Sequence, residues 1–201
     1  MSGSKDVTSH MEADQGEVKG VQVRAAYLFM KERYGDVRVE AALRALDQED
    51  RVLMPNLLLD SNWYPHTAWR AIRRISRAVD PTAGKDLTVD MGKYMAEYSF
   101  KGVYRSLLSA DPARQVENFQ WIHDFFYRNV CRIEANVVDK NSAVVAYYYE
   151  KGAKITGATC LILMGFWTRT LELSGGKQVK AAHPKCMGKG AGACEYRFDW
   201  Q

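Results

Sequence analysis

The chain has 201 residues, of which 47% are hydrophobic, a proportion that is ample for a buried core. Lysine and arginine total 28 against 24 acidic residues, and the net charge of +4 does not predict a nucleic-acid-binding protein. Four cysteines without a signal peptide favour a cytoplasmic protein over a disulfide framework. The longest apolar run, Ala158–Trp167, is too short to cross a bilayer.

The N-terminal half of the chain predicts helices. Residues 1–16 are polar and aperiodic, so we expect a flexible tail followed by one domain over residues 17–201. Apolar residues at helical spacing predict a helix from Val18 to Tyr34, where Gly35 suits the C-cap, and a second helix begins after Asp36. The Trp63-Tyr64-Pro65 segment is typical of a turn.

The next helix, predicted over His66–Val79, carries four arginines on one face. Their spacing of i, i+3, i+4 and i+7 places them together. They are Arg70, Arg73, Arg74 and Arg77. Two interpretations are open: a solvated helix face, or a docking surface for an acidic partner or a phosphate.

Two further helices are predicted over Met91–Leu108 and Pro112–Val130. His123 lies on the apolar face of the second, where a lone histidine is usually a hydrogen-bonded core or surface residue and less often a ligand.

After Cys131 the apolar period changes to two, which predicts a strand over Ile133–Val137 and a return strand over Ala143–Tyr149. A helix that is apolar almost all round follows from Gly157 to Leu173 and is expected to be buried across the sheet. A strand over Gln178–Ala182 and an alternating strand from Cys194 complete the chain. Helices followed by a strand–strand–helix–strand–strand unit predict an α+β fold, with the N-terminal helices packed on a small antiparallel sheet.

Four residues that commonly bind metals accompany this unit: Cys160, His183, Cys186 and Cys194. Three thiolates and an imidazole suit tetrahedral zinc, although their spacing is not the Cys-x-x-Cys pattern, and buried structural cysteines are the alternative interpretation. His183 and Cys186 are also spaced as a base and a nucleophile. No third catalytic group is evident, so the sequence predicts no enzyme.

The aromatic and methionine residues between sheet and helices favour either a plain core or an apolar ligand pocket. The candidate pocket residues are Tyr148, Met164 and Trp167.

The arrangement of Cys160, Cys186 and Cys194 before an aromatic strand resembles the 4-vinyl-reductase-type domain found in the sensory regions of phenol-responsive transcription activators. The resemblance covers residues 116–200. It implies a zinc ion held by the three cysteines and a preceding glutamate. Here Ala181, Ala182 and His183 stand in that position, so His183 would supply the fourth ligand.

More widely, the order of elements is similar to that of haem-NO-binding domains, of a group of myxobacterial proteins, and of the small TRAPP-complex subunits. The haem resemblance implies His123 as axial ligand. It also implies a Tyr-x-Ser-x-Arg motif, but the chain has Tyr147-Tyr-Tyr-Glu-Lys and lacks that serine and arginine. On this basis we expect haem to be absent. The TRAPP resemblance implies a role in nucleotide exchange on a small GTPase.

The main prediction is a non-enzymatic regulatory domain, stabilised by zinc, that acts through an apolar ligand pocket or a partner-binding surface. One alternative is an adaptor or exchange regulator of a small Ras-like GTPase that uses the arginine face. A second alternative is a haem-based gas sensor. The expected partners are a protein, a small hydrophobic ligand or a second copy of the chain, and neither nucleic acid nor a membrane span is predicted.

Overall fold

The structure is a computed structural model that describes residues 16–54, 58–149 and 155–201. The predicted tail over residues 1–16 lies outside this range except for its last residue. The helices are α1 Gly20–Tyr34, α2 Asp36–Arg44, α3 Gln48–Arg51, α4 Ala68–Val79, α5 Lys85–Ser99, α6 Pro112–Glu117, α7 Phe119–Phe126 and α8 Gly157–Leu173. The strands are β1 Glu17–Lys19, β2 Trp63–Pro65, β3 Tyr127–Arg128, β4 Cys131–Asp139, β5 Ser142–Tyr149, β6 Lys180–Lys185 and β7 Cys194–Asp199.

The larger sheet confirms the predicted α+β fold. Its antiparallel strands lie in the order β4-β5-β7-β6, with α8 connecting β5 to β6. The alternation predicted for β7 is present, because Cys194, Tyr196 and Phe198 are buried while Arg197 and Asp199 are exposed. The buried face of this sheet packs against helices. The ring of Phe119 on α7 contacts Phe198 and stacks on Trp167 of α8 at a centroid distance of 3.8 Å.

α8 and α5 cross closely because each has a glycine at the contact. A Cβ added at Gly165 on α8 would lie 2.9 Å from the carbonyl carbon of Val89, and nearer still to its oxygen. A Cβ added at Gly92 on α5 would lie 2.9 Å from the backbone nitrogen of Phe166. Only a residue without a side chain permits backbones this close, so the two glycines set the separation of the helices.

A second sheet of three short strands, in the order β2-β1-β3, was not predicted. The Trp63–Pro65 segment expected as a turn is its edge strand, paired antiparallel with Glu17–Lys19. Strands of two or three residues show no measurable alternation. Their pairing is decided by contacts between distant parts of the chain.

Two predicted helices end earlier than expected. α5 stops at Ser99 and a 3-10 helix follows over residues 102–107. The Pro112–Val130 helix is divided at Asn118, whose N–H bonds Gln115 by the tighter i to i−3 pattern. Within the described residues, no helix has both the length and the apolar character needed to span a membrane.

Candidate metal centre and apolar cavity

The structure brings the four predicted metal ligands together. Cys160 lies in the first turn of α8, His183 in β6, Cys186 directly after β6, and Cys194 at the start of β7. One ligand atom from each residue lies within 4.8 Å of the other three. The Sγ atom of Cys160 is 3.9 Å from that of Cys186 and 3.9 Å from that of Cys194. Residues separated by 34 positions therefore form one compact group of soft ligands.

Local backbone features explain this convergence. The Thr156 side chain accepts a hydrogen bond from the Thr159 N–H and caps α8, which positions Cys160 one turn later. The β6–β7 pairing shifts register between Ala182 and Lys185, the segment that contains His183. After Cys186 the chain turns back through Gly190, whose φ of +90° favours glycine.

Burial favours the uncharged thiol at two of the three cysteines, Cys160 and Cys194. Burial raises the pKa of Cys160 to about 12 and also raises the pKa of Cys194. Burial lowers the pKa of His183, and the nearby Lys189 adds to the effect. The N–H of Met187 donates to the Cys194 Sγ at 3.3 Å, an interaction that stabilises a thiolate. Among the described residues, the buried Nε2 of His183 has no hydrogen-bond partner.

A separate apolar cavity of about 10 Å³ lies between α1, α5, α7 and α8. Its lining residues are Gln22, Met95, His123, Phe126, Tyr127, Ile162, Leu163, Phe166 and Trp167. Of the predicted pocket residues, Trp167 lines this cavity. Tyr148 does not: its hydroxyl bonds Glu134 at 2.9 Å on the outer face of the sheet. Met164 is half-buried and is not part of the lining.

His123 is the only histidine among the residues that line the cavity. Its side chain is 4% exposed, and burial lowers its pKa to about 4, so the ring is neutral at neutral pH. Its Nδ1 lies 3.4 Å from the Asp124 Oδ1 and its Nε2 lies 3.2 Å from the Cys131 Sγ. A proton on Nδ1 satisfies both contacts, because the Nε2 lone pair then accepts from the thiol. Sequence analysis did not predict Cys131 as the partner, although it lies eight residues away.

A nucleophilic triad has the same residue types as the group formed by Cys131, His123 and Asp124, but the pKa shifts in this group are not those of a triad. Burial raises the pKa of the Cys131 thiol well above its usual range, while the pKa of His123 is lowered. An activated cysteine requires the opposite shifts, toward a thiolate beside an imidazolium. The arrangement is therefore a neutral hydrogen-bonded pair.

The arginine face of α4 is largely occupied by partners within the chain. Arg70 bonds Asp50 and pairs with Glu49 at 2.9 Å, and Arg74 pairs with Asp50 at 2.7 Å. The Asp50 side chain is buried, so these ion pairs attach α3 to α4. Arg77 is exposed, and Arg73 is half-buried. Docking of a protein partner on this face stays a prediction.

Solved structures with the same fold include H-NOX domains. An Fe(II) unliganded H-NOX protein from K. algicida matches with a TM-score of 0.66 and 11% identity, covering 91% of this chain and 96% of its own. A mutant H-NOX domain from Shewanella oneidensis in the Fe(II)CO state matches with a TM-score of 0.70 and 12% identity, covering 91% and 98%. An oxygen-binding H-NOX domain related to soluble guanylate cyclases has a TM-score of 0.63, 12% identity and coverage of 91% and 95%. No protein-family model and no curated protein sequence matches the chain.

These matches correct three predictions. The resemblances to 4-vinyl-reductase-type and TRAPP domains are wrong, because the structural neighbours are H-NOX domains and neither of those families is among them. Regulation of a small GTPase, which depended on the TRAPP resemblance, loses its support with it. The prediction of zinc as the cofactor, with haem absent, is also wrong on this comparison, because the neighbours include Fe(II) and haem-containing H-NOX proteins.

At identities of 11% to 15%, the likeness establishes the architecture. The chain has the fold of H-NOX domains over nine-tenths of its length.

Proposed function

We propose that this chain is a sensory domain without catalytic activity of its own, and that its ligand-binding region is the cavity between α1, α5, α7 and α8. The specific form we propose is a haem-based gas sensor with His123 as the axial ligand. The observation that carries the proposal is the buried, neutral imidazole of His123 in the wall of an apolar cavity. Neighbours of the same fold support it, because they include H-NOX domains in the Fe(II)NO and Fe(II)CO ligation states and an H-NOX domain in complex with oxygen.

The donor set at the cavity fits this group. Iron in haem is held by a neutral imidazole, and the lowered pKa keeps His123 in that state across the neutral range. Asp124 holds the Nδ1 side of the ring, so Nε2 would be the ligand atom and would exchange its contact with the Cys131 thiol for the iron. The other side chains of the lining are apolar or aromatic, apart from Gln22 and the Tyr127 hydroxyl. Haem bound there would supply the site for a diatomic gas.

Gln22 is a buried polar group in this apolar lining. Its Nε2 donates to the Ser99 Oγ at 2.7 Å, and its Oε1 has no hydrogen-bond partner among the described residues. A buried amide oxygen without a partner is costly, and a ligand that donates a hydrogen bond removes that cost. Gln22 would therefore orient the polar part of a bound ligand.

Binding requires the cavity to widen. A volume of about 10 Å³ accommodates roughly one water molecule, whereas ligand pockets of drug-sized molecules measure about 300–1,000 Å³. The close approach of the two backbones, at Gly92 on α5 and at Gly165 on α8, keeps these helices together. α7 is a short helix of eight residues, so we expect α7 and its side chains to move outward when a ligand binds.

The test is reconstitution of the purified full chain with haemin, followed by reduction and absorbance spectroscopy. The expected result is a saturable Soret band distinct from that of free haem, at one haem per chain. His123→Ala should abolish or shift this band, and added imidazole should restore it by replacing the missing ligand. His183→Ala is the matched control, because His183 lies in β6 and is not part of the cavity lining, and it should bind haem as the unmodified chain does.

Two results would refute the haem proposal. One is a spectrum identical to that of free haem at every protein concentration. The other is a Soret band that His123→Ala leaves unchanged in position and intensity, since haem would then be bound elsewhere.

A further inference from the structure

We propose that the outer face of the small β2-β1-β3 sheet, with the aromatic rings beside it, binds an acidic segment of a partner protein. The residues of this cation–aromatic surface are Lys19, Trp63, Tyr104, Trp121, Phe125 and Arg128. None of them lines the cavity, so the proposal does not depend on haem.

Strand pairing brings the charged residues of this surface to one face of the sheet. Lys19 of β1 is paired with Trp63 of β2, and Glu17 of β1 is paired with Arg128 of β3. Paired residues of antiparallel strands point to the same face, and so do alternate residues of one strand. Lys19, Trp63 and Arg128 therefore share the outer face, while Val18 is buried on the inner one.

The two cationic side chains of this surface lie over aromatic rings. The Arg128 Cζ is 3.8 Å from the centroid of the Trp63 ring, and the Lys19 Nζ is 5.1 Å from the same centroid. The Lys19 Nζ also lies 3.7 Å from the centroid of Phe125 and 6.0 Å from that of Tyr104. Cation–π contacts of this kind hold the charged groups in position. Two positive charges are thus fixed close together around one indole ring.

Within the described part of the chain, these charges are only partly neutralised. Glu17 pairs with Arg128 at 3.6 Å, and no carboxylate pairs with Lys19. Burial lowers the pKa of Lys19, and the positive charge of Arg128 lowers it further. A carboxylate brought by another molecule would stabilise this ammonium group. The arginine face of α4 differs, because Arg70 and Arg74 already pair with carboxylates of α3.

The residue types of the surface are those that dominate binding at protein interfaces. Tryptophan, tyrosine and arginine are enriched among such residues. Trp121 is 55% exposed, and its ring centroid lies 6.5 Å from that of Phe125. An exposed indole beside two fixed cations fits a segment in which carboxylates flank an apolar side chain.

A nucleic-acid strand fits this surface less well than an acidic protein segment. Aromatic residues that stack on bases normally line a basic groove that follows the phosphate backbone. The cation–aromatic surface has two cations, and the carboxylate of Glu17 lies beside one of them. This carboxylate would repel a phosphate backbone that passes over the sheet.

The test is an NMR titration of the isotope-labelled full chain with a synthetic peptide in which three aspartates flank a leucine on each side. We expect saturable shifts of the indole N–H signals of Trp63 and Trp121. The signals of Trp167 and Trp200, which are buried elsewhere, should stay in place. A control peptide with asparagine at every aspartate position should bind roughly tenfold more weakly, because it lacks the complementary charge.

Charge variants of the chain should change the affinity for the aspartate peptide in opposite directions. Lys19→Gln and Arg128→Gln each remove a positive charge and should weaken binding about threefold. Glu17→Gln removes the competing carboxylate and should strengthen binding by a similar factor, a gain that a damaged fold cannot imitate. Arg197→Gln is the matched control, because Arg197 is exposed on β7 of the other sheet, and it should leave the affinity unchanged.

Four results would overturn the proposal. The first is the absence of saturable Trp63 and Trp121 shifts at millimolar aspartate peptide. The second is equal affinity for the two peptides, or an affinity that Lys19→Gln and Glu17→Gln leave unchanged.

The remaining two results would assign the surface to another occupant. Inorganic phosphate or single-stranded oligothymidylate that produces the same shifts at equal ionic strength would indicate a small anion or a nucleic acid. Shifts that depend on the concentration of the chain without peptide would indicate a second copy. None of these measurements uses haem, so their failure is distinguishable from failure of the proposed function.

Discussion

The glycine contact between α5 and α8 provides the sharpest test of the architecture around the cavity. Gly165→Ala places a Cβ 2.9 Å from the Val89 carbonyl carbon and 3.1 Å from its Cα, where carbon atoms ordinarily lie about 3.5 Å apart or more. The backbone of α5 cannot rotate away as a side chain can. The helices must therefore separate by more than about half an ångström along a contact that is otherwise closely packed.

The separation of α5 and α8 in Gly165→Ala lowers the free energy of unfolding. Overpacking a core typically destabilises a protein by about 1–3 kcal/mol, and a clash with backbone belongs at the upper end. Replacing glycine by alanine inside a helix returns about 1 kcal/mol through propensity. We expect Gly165→Ala to lower the free energy of unfolding by about 2 kcal/mol. Gly157→Ala, in the same helix, is the matched control, because its Cβ would meet nothing within 4 Å and should leave stability unchanged or slightly higher.

Urea denaturation followed by circular dichroism measures both variants under the same conditions. Equal unfolding midpoints for Gly165→Ala and Gly157→Ala would refute the close crossing of α5 and α8. So would a stabilised Gly165→Ala variant, since only an open space can accept a methyl group without cost.

Two further predictions concern buried ionisable groups. The pKa of His123 is about 4 in the folded chain and about 6.5 in the unfolded chain. As the pH falls, the unfolded state therefore takes up the proton first, and the free energy of unfolding should decrease by about 2 kcal/mol from pH 7.5 to pH 5. Above pH 6.5 this contribution of His123 to stability is fully present. His123→Gln should flatten this part of the profile in urea titrations, and an unchanged slope would show that the ring titrates normally. Arg70→Ala leaves the buried Asp50 carboxylate with one ion-pair partner fewer and should cost about 2 kcal/mol, whereas Arg77→Ala, at an exposed position, should cost less than about 0.5 kcal/mol in thermal denaturation. Equal losses for the two arginine variants would show that the α3–α4 ion pairs contribute nothing.

Much of the C-terminal unit was predictable from local pattern. The bounds of α8, Gly157–Leu173, match the prediction because a long apolar run lies between a threonine cap and a glycine pair. β7 matched because its alternation is strict over seven residues. The grouping of Cys160 with the hairpin cysteines followed from the same strand–helix–strand order.

Other features depended on contacts that no local pattern carries. Alternation along β5 places neighbouring tyrosines on opposite faces of the sheet, but it does not decide which face is buried. Packing of α7 and α8 on the sheet buries Tyr147, which accepts a hydrogen bond from Trp167, and leaves Tyr148 outside with Glu134. The spacing of the arginines predicted that they share one face of α4. It did not predict their acidic partners, which lie on α3, some twenty residues earlier in the chain.

The sequence by itself determined the fold class, the order of the C-terminal elements and which four residues are candidate metal ligands, because helix and strand periodicity and residue chemistry are local properties. Tertiary structure alone decided that these ligands meet within 4.8 Å, that His123 is neutral in the wall of a cavity beside Cys131, and that two glycines set the distance between α5 and α8. These features are separations and burial between segments distant in sequence. They arise only when the helices and sheet exclude water from one shared interior.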